Sequence, residues 1–142
     1  MGTLLDASAL IAFLDDEPAA PEVAVVLGSR AAAIPALNLA EAVQRILRRS
    51  DATLGELRQL IESLDLPVLP LTDAHAWRAG ELRARHYAKV ANDVSLADCC
   101  LVAVATPADV IASTDANVLR MATAEGVATL PLPDSRGRLP RI

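Results

Sequence analysis

Aromatic side chains are nearly missing from this chain of 142 residues: Phe13, Trp77 and Tyr87 are the whole set. The core must therefore be aliphatic, built from Leu, Val, Ile and Ala. Cysteine is as scarce. Cys99 and Cys100 are adjacent, which is poor geometry for a mutual disulfide and fits a reducing compartment, where both read as small core residues. The two histidines, His75 and His86, would stand ~16 Å apart on one helix, so a shared zinc ion is excluded. No uncharged stretch reaches the ~20 apolar residues of a membrane span without a proline break. The apolar N-terminus lacks a basic n-region and carries Asp6, unlike a secretory signal, and Gly2 lacks the context for myristoylation. The expectation is a soluble, cytoplasmic protein with no membrane association.

A basic balance is also lacking. The formal net charge is −5, whereas nucleic-acid binders usually present a basic surface. Yet Lys89 is the single lysine, and the arginines cluster: Arg45, Arg48 and Arg49; Arg78, Arg83 and Arg85; Arg136, Arg138 and Arg141. Arginine suits bidentate phosphate contact, although any one cluster can equally be a solvated helix face. An acidic protein can still bind RNA if metal ions neutralise an acidic centre and arginines line its rim.

What is present in quantity is apolar surface. With 53% hydrophobic and 22% charged residues, the chain has the size and composition of one folded domain, residues 1–142. Short β-prone runs at Thr3–Leu5, Ala31–Ile34, Pro67–Leu71, Val110–Ser113 and Val127–Leu130 alternate with helical patterns. The helices are expected over Ala7–Leu14, Pro21–Leu27, two amphipathic stretches through Leu39–Leu47 and Leu54–Leu64, Asp73–Tyr87, a segment from Leu96 to Ala105 apolar on every side, and Ala116–Ala124, which Gly126 stops. The tight Ser50–Asp51–Ala52 link makes the two amphipathic helices a hairpin. This alternation predicts an α/β protein: a three-layer α/β/α sandwich around a mostly parallel, five-stranded sheet.

Four carboxylates each stand alone in an otherwise apolar or neutral stretch. They are Asp6 in MGTLLDASALIAFL, Glu41 in AAAIPALNLAEAVQ, Asp98 in VSLADCCLVAVATPA and Asp115 in VIASTDANVL. Desolvating an unpaired charge costs several kcal/mol, so carboxylates are rarely buried without a partner. In right-handed βαβ units each crossover helix starts at the carboxyl edge of the sheet, which brings all four acids to the edge where open α/β sheets bind ligands. Helix capping is the competing explanation. Asn38-x-x-Glu41 and Ser95-x-x-Asp98 both match capping boxes, and Asp115 can be an N-cap. Thr53-x-x-Glu56 has the same pattern among charged neighbours and serves as an internal control. Capping does not, however, require the acids to share one edge. Four ionised carboxylates gathered there must protonate or bind cations. Mg²⁺ and Mn²⁺ prefer oxygen ligands and keep several waters, which leaves room for a phosphate oxygen.

In this order, the stretches LLDASALIAFL, NLAEAV, SLADCCLVAVA and IASTDANVLRMA resemble the four acidic motifs of the PIN-domain family, specifically the VapC-type ribonuclease toxins of prokaryotic toxin–antitoxin pairs. The resemblance covers essentially the whole chain and places Asp6, Glu41, Asp98 and Asp115 in the acidic positions. It implies a magnesium-dependent endoribonuclease that leaves 5′-phosphate and 3′-hydroxyl ends, a homodimer, and a cognate VapB-type antitoxin whose C-terminal segment lies along the active groove. The helical hairpin would clamp that peptide. Asp6 and Asp98 would hold the principal ion, Glu41 would bind it through a water or orient the attacking water, and Asp115 would complete the cluster or help hold a second ion. Asp93, in a polar loop just before Asp98, is a further candidate ligand. Two other readings compete: a receiver-like phospho-acceptor domain, which needs an acidic pair after the first strand and a late lysine, and a catalytically silent PIN-fold binding module.

Overall fold

A computed structural model describes residues 2–142. Its elements in chain order are β1 (Thr3–Leu5), α1 (Ala7–Leu14), α2 (Ala20–Gly28), β2 (Ala32–Pro35), α3 (Ala36–Arg49), α4 (Leu54–Glu62), β3 (Val68–Leu69), α5 (Asp73–His86), α6 (Leu96–Val104), β4 (Val110–Ser113), α7 (Ala116–Ala124) and β5 (Ala128–Pro131). The sheet runs β3-β2-β1-β4-β5, and every strand pair in it is parallel. The expected five-stranded α/β architecture is therefore the one observed. The order sets the receiver reading aside, because receiver domains are wound 2-1-3-4-5.

Alternation along the strands sends neighbouring side chains to opposite faces. Leu4 of β1 and Ile111 of β4 join Leu101 of α6 and Val118 and Met121 of α7 in one cluster. Leu5 and Ala112 point the other way, against Ala9 and Ala12 of α1 and Val23 of α2. Ile34 of β2 packs with Leu10 and Ile11 of α1, Ile46 of α3, and Leu57 and Ile61 of α4. Helices α1–α4 thus cover one face and α5–α7 the other. Cys99 and Cys100 are free thiols buried inside α6, as small core residues should be. Gly126 adopts φ +78° and closes α7 in the left-handed conformation that glycine tolerates best.

Two local expectations need correction. The third strand is two residues long rather than five, because Pro67 and Pro70 flank it and proline cannot donate to a ladder. The first amphipathic helix starts at Ala36 with Pro35 as its N-cap. Asn38 therefore lies within the first turn and Asn38-x-x-Glu41 is no capping box. Among the described residues, no helix is long and apolar enough to cross a membrane.

Candidate active site

Strand β1 leads through α1 and α2 to β2 on one side, while β4 leads through α7 to β5 on the other. The connections leaving the adjacent strands β1 and β4 diverge, and at such a switch point a crevice opens at the carboxyl edge. Asp6 follows β1 and Asp115 follows β4, so the two acids flank that crevice. Its walls are Asp6, Ala7, Ser8, Glu41, Arg45, Asp93, Ser95, Asp98 and Asp115, enclosing about 160 Å³. All four acids singled out from the sequence meet in this one cavity, and Asp93 reaches it from its exposed loop.

Each acid is held differently. Asp6 is 4% exposed and caps α1. Its Oδ1 accepts from the Ala9 amide at 2.9 Å and the Ser8 hydroxyl at 2.7 Å, and its Oδ2 accepts from the Ser113 hydroxyl. Burial pushes its carboxyl above the ordinary range, those hydrogen bonds pull it back, and Asp115 pushes it up again. Asp98 stands at the third position of α6 in a complete capping box. Its Oδ2 accepts from the Ser95 amide at 2.8 Å, and its own amide donates to Ser95 Oγ at 3.1 Å. Burial foremost, with Asp115 and Asp6 adding to it, raises its pKa to about 6.

Asp115 caps α7, its Oδ1 accepting from the Asn117 amide at 2.8 Å, while its own amide donates to Ser113 Oγ at 2.9 Å. Glu41 has no capping role. It is half-buried in the second turn of α3, and its pKa is raised by burial, Asp98 and Asp115 against the opposing pull of Arg45. Capping thus accounts for part of the geometry of three acids and none of the fourth.

None of the four forms an ion pair among the described residues, and the clustered arginines mostly spend their charge elsewhere. Arg49 reaches Asp15 and Glu17. Arg78 and Arg85 converge on Glu125, at 3.3 and 2.8 Å. Arg83 lies 4.3 Å over the Tyr87 ring and donates to the Val94 carbonyl. Among the described residues, only Arg45 brings a cation to the cavity wall. The donor set is entirely carboxylate and hydroxyl oxygen, the chemistry of a hard dication. No three of these side chains converge tightly enough to enclose an ion.

The family model of the PIN domain matches residues 3–124, which spans β1 through α7 and includes every acid of the cavity. The chain belongs to the PIN domain family. Solved structures share its fold at low identity. DNA-bound VapBC from Salmonella typhimurium is 20% identical with a TM-score of 0.67, over 92% of this chain and 97% of that one. FitAcB from Neisseria gonorrhoeae is 19% identical with a TM-score of 0.62, over 90% and 96%. A toxin–antitoxin complex from Klebsiella pneumoniae is 16% identical with a TM-score of 0.64, over 90% and 97%. No curated protein matches the sequence.

In this PIN domain two hydroxyls bind the acidic centre together, and the sequence pattern alone did not single them out. Ser113 donates to Asp6 and accepts from the Asp115 amide, tying the ends of β1 and β4. Ser8 donates to Asp6 and accepts from the Thr114 amide at 3.2 Å. The available signal was position: each lies two residues from an isolated acid, at the end of a central strand or the start of its helix.

Proposed function

We propose that this PIN domain is a divalent-metal-dependent endoribonuclease, the toxin of a VapBC-type pair. The observation that carries the reading is the cavity at the β1/β4 switch point, where four unpaired carboxylates meet a single arginine. Raised pKa values at Asp6, Glu41 and Asp98 mean that the site disfavours its own ionised state and gains from an added positive charge. Asp6, held by three hydrogen bonds, and Asp98, held by its capping box, would hold Mg²⁺ or Mn²⁺, with Asp115 completing the set. A bound dication would polarise a phosphodiester oxygen and lower the pKa of a bound water.

The chain's own groups supply the rest. Glu41 has no cap to serve and a raised pKa, which suits it to orient the attacking water and take its proton. Arg45, one turn further along α3, faces the same space and can pair with a phosphate oxygen. Ser8 and Ser113 keep Asp6 and the adjoining strand ends in register.

An antitoxin partner is supported by the groove between α3 and α4. Leu39, Val43, Leu54, Leu57, Ile61 and Val68 line an apolar trough of about 360 Å³, with Arg58 and Glu62 at its edge. An amphipathic segment fits such a groove, and in this reading it is the VapB-type antitoxin's; the toxin itself acts as a homodimer. The test is cleavage of single-stranded RNA by the purified protein. Activity should require Mg²⁺ or Mn²⁺, vanish with EDTA, and leave 5′-phosphate and 3′-hydroxyl ends. Cleavage that persists in EDTA, or 2′,3′-cyclic phosphate ends, would overturn it.

A further inference from the structure

The acidic cavity has a neighbour of opposite character. Thr114 and Ala116, the residues on either side of Asp115, line a second, open cavity of about 710 Å³ whose other walls are Asp134, Arg138, Leu139, Pro140 and Arg141. Of the three arginine clusters, this is the one whose guanidiniums are not drawn into close ion pairs. Arg138 has only a 3.8 Å approach to Asp134, with its side chain 66% exposed.

The segment bearing these arginines is a built feature. The Asp134 amide donates to the Arg138 carbonyl at 2.8 Å, and the Gly137 amide donates to the Asp134 carbonyl at 2.9 Å. Gly137 takes φ +80° to close the turn. Asp134 Oδ1 accepts the amides of Arg136 and Arg138, both at 2.9 Å. Those amides, with the Arg138 and Arg136 charges adding to them, hold its carboxyl below the usual range, and they tie its Oδ1 into the turn while Oδ2 faces Arg138. Further along, Arg120 of α7 donates to the Arg141 carbonyl at 3.2 Å, to the Ala91 carbonyl at 3.5 Å and to Asn117 Oδ1. The segment is thus tethered to α7 with its guanidiniums free to meet an anion.

We infer that this second cavity is a phosphate-backbone subsite, in which Arg138 and Arg141 grip the RNA strand flanking the bond that is cut at the acidic cavity. The inference rests on the ribonuclease reading above and names how an acidic protein holds a polyanion. The carboxylate centre repels a strand unless cations shield it, so affinity must come from groups set beside it. Guanidiniums pair with phosphate oxygens in a bidentate way and release condensed counterions as they do so. Asp115 of the acidic cavity stands in sequence between Thr114 and Ala116 of the second, so a strand leaving the acidic cavity over α7 meets these two arginines next.

The test measures binding by fluorescence anisotropy across a salt series. It uses the full chain carrying Asp98→Asn to block cleavage, and a labelled single strand of about 12 nucleotides. Adding Arg138→Ala and Arg141→Ala should raise Kd about tenfold and reduce the salt slope by about 1.4, two contacts at roughly 0.7 each. Arg138→Lys with Arg141→Lys should restore most of the slope, which separates charge from a folding defect. Arg30→Ala, at the opposite edge of the sheet, should leave Kd and slope unchanged. The subsite is refuted if the double alanine variant matches its parent, if Arg30→Ala loses as much, or if the double variant keeps RNA and loses only an acidic protein partner. A parent that binds no RNA at all refutes the ribonuclease reading itself, whereas a parent that binds RNA and a double alanine variant that matches it refute the subsite alone.

Discussion

Helices α4 and α6 have the same length and the same start. Each spans nine residues and opens on a capping box, Thr53 with Glu56 in one and Ser95 with Asp98 in the other. The reciprocal bonds are nearly identical, 3.1 and 3.1 Å against 2.8 and 3.1 Å. Their acids nonetheless behave oppositely. Glu56 lies in solvent, and its hydrogen bonds to Thr53 hold its carboxyl below the ordinary range. Asp98 is carried by α6 to the carboxyl edge of the sheet, where burial and two other acids lift it to about 6. A four-residue motif specifies how a helix begins, while the sheet order specifies whether the acid in that motif faces water or a cavity.

The most severe way to break the comparison is to remove each charge in turn. Asp98→Asn keeps the shape of the cap and should lower the RNA cleavage rate on the order of 10³-fold, since a preorganised charge at the reacting centre is lost. Glu56→Gln should leave the rate unchanged. Equal losses in single-turnover assays would show that both acids act only through helix stability.

A second contrast lies in what the helices bury. Five consecutive residues of α6, Cys99 to Ala103, are buried, whereas α4 buries only Leu57 and Ile61. Leu101→Ala empties a fully buried site and should cost about 2–5 kcal/mol. Leu60→Ala on α4, where the side chain is 49% exposed, should stay within about 0.5 kcal/mol of the parent. Urea denaturation of both variants checks this, with α6 expected to carry most of the effect.

This difference also explains what could be read from the sequence. α6 was legible as buried because LADCCLVAV is apolar on every side, and the four acids stood out because nothing charged surrounds them. The parallel sheet followed from alternation alone. Asn38 misled because it has the chemistry of an N-cap, yet Pro35 starts the helix three residues earlier with a backbone already extended for the role. The pairing of Ser8 and Ser113 with Asp6 was illegible for another reason. Ser113 and Asp6 are 107 residues apart, and only the β1–β4 register, Leu5 beside Ala112, brings them together. The arginines were legible as clusters but not as free or paired, since Glu125 sits far along the chain from the Arg78 and Arg85 that it neutralises.

Titration sharpens the same contrast at a smaller scale. The folded pKa of Asp98, about 6, exceeds its ordinary 3.8. The folded chain therefore keeps a proton that the unfolded chain releases, and stability from this group falls as pH rises from about 4 through about 6, by at most about 3 kcal/mol. Glu56 has the opposite sign: its lowered pKa contributes stability above about pH 4.5 that is lost as pH falls. Adding Mn²⁺ should raise the melting temperature more at pH 7.5 than at pH 5, because in the proposed reading the ion would bind the ionised acids of the folded state, and 100-fold excess over Kd is worth about 2.7 kcal/mol. Glu56→Gln should keep that pH-dependent gain, and Asp98→Asn should lose most of it. A gain of the same size at both pH values would count against carboxylate binding of the ion.

The finest separation comes from the caps themselves. Thr53→Ala and Ser95→Ala each remove a hydroxyl that accepts an amide at the third helical position, and each should cost about 1 kcal/mol of stability. By thermal unfolding the two variants should be near twins, because the local bond removed is the same. Activity should part them. Losing Ser95 Oγ loosens the first turn of α6 and with it the aim of Asp98, and loss of such supporting contacts typically lowers activity about 10-fold or more. Losing Thr53 Oγ1 loosens a turn that holds only a solvated glutamate, so cleavage should be unchanged. If both variants lose activity in proportion to stability, the cap at α6 serves the helix alone, and Asp98 is oriented by the packing of α6 against the sheet instead.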